Sequence, residues 1–188
     1  MSTAVASSPP PPRPVVVSSA AGPNTDPWSE IVRLEYGADR SFAWSVREQI
    51  LHSAPESREA LEKKLLAALS TPGCTDAGKS ALCELLALIG TAASVPALAK
   101  LLTEARSAEA ARYALDRIPG PEASAALRDA LPRLTGSAKA GLIGSLATRK
   151  DVLNQPAFAA LRDNSSEPAI VREAAKRALE RLSPAANR

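Results

Sequence analysis

The sequence has very few aromatic residues for its apolar content. Aromatic side chains make up 3% of the 188 residues, although apolar residues make up 45%. The interior must therefore be built from Ala, Leu, Ile and Val. Such small side chains let helices pack closely and leave few large pockets. This composition favours stacked helices over the cleft of an enzyme.

The rarity of histidine and cysteine excludes several kinds of site. His52 is the single histidine, so a Ser-His-Asp or Cys-His arrangement would have to use it, although it falls at a predicted helix end. A capping or solvated side chain is the favoured interpretation. Cys74 and Cys83 are too few for a disulfide framework, and no further Cys or His stands at metal-ligand spacing. We therefore expect no catalytic site, no metal, no cofactor, and reduced thiols in a cytoplasmic protein.

The sequence also lacks long apolar runs and a strong excess of one charge. No stretch approaches the roughly 20 apolar residues that a transmembrane helix needs, and no basic segment followed by an apolar one marks a secretory signal. The 23 basic and 20 acidic residues give a net charge of +3, which is too balanced to indicate nucleic-acid binding. The expected partner is a protein rather than a nucleic acid or a membrane.

Proline is abundant only at the start of the chain. Residues 1–27 hold seven of the sixteen prolines, four of them consecutive at positions 9–12. Because proline fixes φ and removes a hydrogen-bond donor, residues 1–25 are predicted to be a disordered, polyproline-II-like tail. A linker is the favoured interpretation of PPPPRP, and the alternative is a ligand for a proline-recognising module. Residues 184–188 form a predicted C-terminal tail.

A helix-turn-helix pattern recurs through the rest of the chain. The most interior aliphatic residues of the second helices are Ile50, Leu86, Leu115, Leu146 and Leu179, at steps of 36, 29, 31 and 33 residues. The corresponding residues of the first helices are Leu61, Leu98, Leu127 and Phe158, at steps of 37, 29 and 31. Two independent sets that advance nearly in register indicate a stack of two-helix repeats.

Turn and capping residues divide the repeats into five predicted helix pairs. Asp26 is a suitable N-cap, Pro27 suits the first helical turn, and Pro132 should bend or stop a first helix. The helix pairs are predicted at 28–52, 56–89, 93–118, 121–149 and 154–183.

Two stretches resemble HEAT repeats, particularly the short bacterial kind related to the phycobiliprotein-lyase repeat family. They are SVPALAKLL followed by AEAARYALDRIPG, and NSSEPAIVREAAKRALERL. The second-helix phrase of that family, Val-Arg-x-x-Ala-x-x-Ala-Leu, is matched by Val171, Arg172, Ala175, Ala178 and Leu179. The resemblance covers residues 75–183 well and 28–70 more weakly. It implies a right-handed α-solenoid of about five HEAT-like helix pairs over residues 26–183.

Basic residues at repeated offsets are the first candidate for a protein-binding face. Lys79, Lys139 and Arg172 share one offset within the repeat, and Arg112 and Lys176 share another. In HEAT proteins the second helices line the concave surface, where partners bind, so the resemblance implies that these cations could face a partner. The alternative is that they form surface or inter-repeat ion pairs with nearby acids.

Aromatic residues give a second candidate, because four of the six lie in the first helix pair: Trp28, Tyr36, Phe42 and Trp44. We interpret them as large side chains that cover the apolar end of the repeat stack. The alternative is that they form a site that contacts a partner.

The resemblance implies a non-catalytic, monomeric protein-interaction or scaffold module. The alternatives are an enzyme similar to the HEAT-like phycobilin lyases or DNA glycosylases, and an accessory segment of a larger assembly.

Overall fold

The computed structural model describes residues 26–183, and all regular secondary structure in this range is helical. The ten α-helices of this range are α1 Pro27–Val32, α2 Ser41–Leu51, α3 Pro55–Leu69, α4 Asp76–Ile89, α5 Val95–Leu101, α6 Ala108–Arg117, α7 Pro121–Ala130, α8 Gly136–Thr148, α9 Gln155–Asp163 and α10 Ala169–Leu182. Short 3-10 turns cover Ala92–Ser94, Leu131–Arg133 and Val152–Asn154. The predicted tails, residues 1–25 and 184–188, lie outside the described residues.

The helices come in five consecutive pairs at the predicted positions. The first pair runs from Pro27 to Leu51 and the last from Gln155 to Leu182, which is close to the predicted bounds. The Asp26 side chain accepts a hydrogen bond from the backbone N–H of Trp28 at 3.4 Å and so caps α1 as expected. Pro132 lies in the 3-10 turn that follows α7, so this helix stops where the proline predicted.

One hydrophobic core extends through all five pairs, from Ile31 to Leu182. Eight of the nine landmark residues are buried in it, which confirms the interior positions that the spacing predicted. Leu179 is only half-buried, and the buried side chains of α10 are instead Val171, Ala175, Ala178 and Leu182. Within the described residues no helix follows α10 to cover Leu179.

The second helices of the pairs contact one another in chain order. Helix α2 contacts α4, α4 contacts α6, α6 contacts α8, and α8 contacts α10. Helices of one pair also contact each other, and among the first helices α1 contacts α3 and α5 contacts α7. No helix in residues 26–183 is both long and apolar enough to cross a bilayer.

A glycine allows the first pair to approach the second closely. A Cβ atom at Gly78, in the first turn of α4, would lie 2.5 Å from the backbone oxygen of Ile31 in α1. The backbone N–H of Thr75 donates to the oxygen of Val32 at 3.0 Å, and the Thr75 hydroxyl donates to the oxygen of Leu34. These hydrogen bonds hold the start of α4 against the end of α1. The contact is so close that position 78 has room only for glycine.

A buried carboxylate joins the second pair to the third. Glu62 in α3 is 4% exposed and accepts hydrogen bonds from the backbone N–H and hydroxyl of Thr91 and from the hydroxyl of Ser94. Thr91 caps the 3-10 turn that leads into α5. The carboxylate therefore lies where unpaired N–H groups and the helix dipole favour negative charge.

A guanidinium group joins the third pair to the fourth. Arg149, directly after α8, donates hydrogen bonds of 2.7–3.0 Å to the backbone oxygens of Leu115, Asp116, Ile118 and Gly120. A fifth bond, at 2.8 Å, reaches the hydroxyl of Ser124 in α7. Because the last carbonyls of a helix lack intrahelical partners, this cation caps the C-terminus of α6.

The joint between the fourth and fifth pairs carries different charges from the Glu62 joint, where the turn is neutral. Here the helix supplies the base, Arg128 in α7, and the turn supplies the acid, Asp151, with which it forms an ion pair. Asp151 caps the 3-10 turn Val152–Asn154 just as Thr91, sixty residues earlier, caps Ala92–Ser94. The two turns are equivalent in position and differ in charge.

Candidate interaction surface

A groove crosses the second helices of the first three pairs. It has a volume of about 660 Å³ and is lined by residues of α2, α4 and α6, with Arg40 from just before α2 and Arg106 from the loop before α6. Trp44 of α2, Leu88 of α4 and Tyr113 of α6 line it, with 68%, 40% and 40% of their surfaces exposed. We call this feature the central groove.

Exposed apolar side chains concentrate at the central groove. Of the eight large apolar residues that are exposed in residues 26–183, Trp44, Leu88 and Tyr113 line the groove. A fourth, Tyr36, lies at its edge, with its hydroxyl 3.5 Å from the hydroxyl of the lining residue Ser80. Apolar side chains that gather on one face mark a binding surface, whereas single ones scattered over a protein need no explanation.

Three arginines and two carboxylates line the groove beside the apolar side chains. Arg40, the residue before α2, pairs with Glu84 of α4 at 2.9 Å. Arg112 forms hydrogen bonds with Glu109, which lower the pKa of that carboxyl and keep it charged. The groove therefore offers both signs of charge.

A further arginine holds the Tyr113 ring from outside the groove. The Arg117 guanidinium, one turn further along α6, lies 4.2 Å from the centre of that ring. This distance is within the range of a cation–π interaction, which fixes the orientation of the aromatic side chain.

Comparison with known proteins finds no matching family model, no matching curated protein and no matching solved structure. The resemblance to HEAT repeats therefore rests on the residues of this chain.

Two of the predicted basic residues connect neighbouring pairs in the same way. The ammonium group of Lys79 lies 2.6 Å from the carboxylate of Glu104, and that of Lys139 lies 2.6 Å from the carboxylate of Glu167. Each acid belongs to the loop inside the following pair. The shared offset thus corresponds to a repeated ion pair between pairs, which is the alternative that the sequence left open.

The other three predicted residues are divided between two environments. Arg112 donates to Glu109 and to the hydroxyl of Ser145 in α8, so it also joins two pairs. Arg172 and Lys176 are exposed on α10, and no acid of the described residues lies within ion-pair distance of them. The five residues therefore do not share one accessible face, and a binding role for any of them stays a prediction.

We expect Lys139→Ala to lower the free energy of unfolding by about 2–3 kcal/mol, because it leaves Glu167 without its partner in a largely buried site. The side chains of this pair are 9% and 15% exposed, against 23% and 43% for Lys79 and Glu104. Lys79→Ala should cost about 1 kcal/mol, and Lys63→Ala, in a fully exposed pair, less still. Urea denaturation of the three variants tests this order, and equal losses would contradict it.

The aromatic residues of the first pair also divide into two groups. Trp28 and Phe42 are half-buried and pack against the core, as the sealing interpretation predicted. Tyr36 and Trp44 are exposed at the central groove instead. The sequence carried a signal for this difference, because Trp44 is four residues after Arg40 and three before Arg47, on the polar stripe of α2. An aromatic residue among charged ones points outward.

His52 and the cysteines lie outside the groove. The exposed His52 follows α2, and its Nδ1 lies 2.9 Å from the backbone oxygen of Glu48, which confirms a capping, solvated side chain. Cys74 and Cys83 are free thiols. Burial raises the pKa of Cys83 to about 12, so this thiol is protonated at neutral pH.

Proposed function

We propose that the chain is a non-catalytic protein-interaction module that binds a partner protein in the central groove. The observation that carries the proposal is the concentration of exposed apolar side chains, two of them aromatic rings, among arginines. Tyr, Trp and Arg are the residue types most enriched where proteins bind each other tightly. Trp44 and Tyr113, on helices that both contact α4, are positioned to hold one partner segment between them.

We further propose that the five helix pairs form a right-handed α-solenoid of HEAT-like repeats. The chain-order contacts between second helices and the core shared by all pairs support this arrangement. The second helices of a HEAT solenoid line its concave surface, and the central groove is formed by second helices. The module would therefore present a preformed concave site whose specificity depends on exposed residues such as Trp44, Leu88 and Tyr113.

We expect Trp44→Ala and Tyr113→Ala each to weaken partner binding by about thirtyfold, because an aromatic anchor of an interface contributes roughly 2 kcal/mol. The wild-type chain and both variants would be used to capture proteins from the source cell, and binding of each recovered protein would then be titrated. Both side chains are exposed, so thermal unfolding should change little.

Leu153→Ala is the matched control, because Leu153 is 72% exposed and does not line the groove. Unchanged binding by all three variants would exclude the groove. If Arg172→Glu with Lys176→Glu alone abolished binding, the basic residues of α10 would be the site instead.

A further inference from the structure

We propose that the partner segment bound in the central groove is acidic, with carboxylates on both sides of a short apolar stretch. The inference rests on the proposed function, because it names the chemistry of the partner at the same groove. Arg47 and Arg106 are the residues that select this partner by charge, while Trp44 and Tyr113 bind its apolar stretch.

The two carboxylates of the groove already accept hydrogen bonds from arginines of this chain. Glu84 accepts from Arg40 at 2.9 Å, and Glu109 accepts from the Nε of Arg112 at 3.0 Å. Arg112 also donates to the hydroxyl of Ser145 in α8, which holds its guanidinium in place. Both carboxylates are therefore balanced by positive charge within the chain, and they offer little attraction to a basic ligand.

The guanidinium groups of Arg47 and Arg106 also line the groove, but their pairing is much weaker. The carboxylates within ion-pair distance of them among the described residues belong to Glu48 and Asp76, and each is 3.6 Å away. This distance is too long for a hydrogen bond. The two arginine side chains are 50% and 73% exposed. Because a guanidinium has five donors in a planar fork that matches a carboxylate, each arginine can bind an acidic side chain of a ligand.

The two arginines lie on opposite sides of the groove. Arg47 belongs to α2 and Arg106 to the loop before α6, and α4, which contacts both of these helices, lies between them. Packed helices lie about 8–10 Å apart, so roughly 16–20 Å separate α2 from α6. A segment that crosses all three helices meets a cation near each end and the exposed Leu88 of α4 in between. The partner that fits this order is acidic at both ends and apolar in the middle.

The carboxylates of the groove also favour a protein over a nucleic acid, although aromatic rings beside arginines are able to bind single strands. A nucleic acid carries a negative charge at every nucleotide, so its backbone would pass Glu84 and Glu109, which are 53% and 75% exposed. A protein segment can place neutral residues beside these acids and its own carboxylates at the two arginines.

Selection of random peptides of about 16 residues, displayed on phage, on the full chain tests the proposal. This length covers roughly 24 Å as a helix and more when extended, so it crosses the groove in either form. Peptides that lose binding to Trp44→Ala are the ones that bind in the groove. We expect them to carry Asp or Glu on both sides of aromatic or aliphatic residues. Mainly neutral or basic peptides in this set would overturn the proposal.

Two arginine variants then measure the contribution of charge to the binding of one recovered peptide. Arg47→Ala and Arg106→Ala should each weaken binding about fivefold, as one partly exposed ion pair of good geometry would. Arg162→Ala is the matched control and should leave binding unchanged, because Arg162 is 44% exposed, lies on α9 and does not line the groove.

The peptide itself is varied in the same experiment. Replacement of its Asp and Glu by Asn and Gln should weaken binding to the wild-type chain about 25-fold, which is the product of the two fivefold losses. It should hardly change binding to the double variant of Arg47→Ala with Arg106→Ala. Equal affinity of the wild-type chain for the acidic and the amide peptide would overturn the proposal.

A labelled single-stranded oligonucleotide is the second probe. We expect no binding of it that depends on Trp44. Trp44-dependent binding tighter than that of the acidic peptide would overturn the proposal by assigning the groove to a nucleic acid.

The outcomes separate this inference from the proposed function. If Trp44→Ala abolishes the binding of peptides that carry no acidic residue, the groove binds a protein segment and only the inference about charge fails. If no recovered peptide depends on Trp44, the groove does not bind a protein segment and both proposals fail.

Discussion

Arg149→Ala should lower the free energy of unfolding by about 3 kcal/mol or more. The substitution removes five hydrogen bonds, four of them to backbone oxygens at the end of α6. Hydrogen bonds to charged groups contribute about 1.5–3 kcal/mol each but are not additive, and a buried acceptor left without a partner costs about 1–3 kcal/mol. The backbone oxygens of the buried residues Leu115 and Ile118 would lose this partner. Chemical denaturation monitored by circular dichroism measures the loss.

Arg149→Lys tests whether the positive charge or the hydrogen-bonding geometry of Arg149 stabilises the fold. An ammonium group keeps the charge at the negative end of α6, but it has three donors instead of five and lacks the planar fork. We expect it to recover less than half of the lost stability. Arg177→Ala is the matched control, because Arg177 is 65% exposed and its bonds within the described part of the chain all lie in α10. A loss at Arg149 no larger than the loss at Arg177 would show that the cap is not needed.

Glu62→Ala should cost about 3 kcal/mol, since it leaves three donors of Thr91 and Ser94 without their acceptor at a buried position. Glu62→Gln keeps one acceptor oxygen and should cost about half as much. The same denaturation experiment applies, and hydrogen exchange should show faster opening at the start of α5 than at α10.

Glu59→Ala provides the control for Glu62, one turn earlier on α3. Glu59 is 76% exposed and, among the described residues, pairs with Lys63 alone, so its loss should cost far less than the loss of Glu62. Similar effects of Glu59→Ala and Glu62→Ala would contradict the assignment of Glu62 as the acceptor that joins the second pair to the third.

Packing periodicity made the helices and their order predictable. A residue such as Leu115 must be buried wherever the helix is placed, because its neighbours at three- and four-residue spacing are apolar too. Pro132 and Asp26 act through local backbone chemistry, so their effects also follow from the sequence. Leu179 shows the limit, because the burial of an outer helix depends on what covers it.

The polar joints were harder to predict, although a signal for them exists. Glu62 lies three residues before Leu65 and seven before Leu69, and Arg149 lies three after Leu146 and seven after Leu142, so each occupies an apolar stripe. A charged residue in such a stripe must find a buried partner. The identity of that partner, a turn or a helix end of the neighbouring pair, depends on the stacking and not on local sequence.

The repeat in the sequence revealed the basic residues but not the central groove. Lys79 and Lys139 share a period because their acids, Glu104 and Glu167, recur with the repeat, so periodicity marked a structural contact. Trp44 and Tyr113 do not recur in the other pairs. Residues that depart from the repeat are the ones that a binding surface can use.

The two equivalent joints differ in charge, and this difference penalises two wrong orders of stacking. If the fifth pair were placed on the second, Glu62 would face the carboxylate of Asp151, and if the third were placed on the fourth, Arg128 would face the neutral Thr91. Two buried acids in contact, or a half-buried guanidinium without its acid, would each penalise the wrong neighbour. Repeat proteins are prone to joining the wrong copies during folding. In this chain, the charges at these joints therefore disfavour packing of a helix pair against the wrong neighbour.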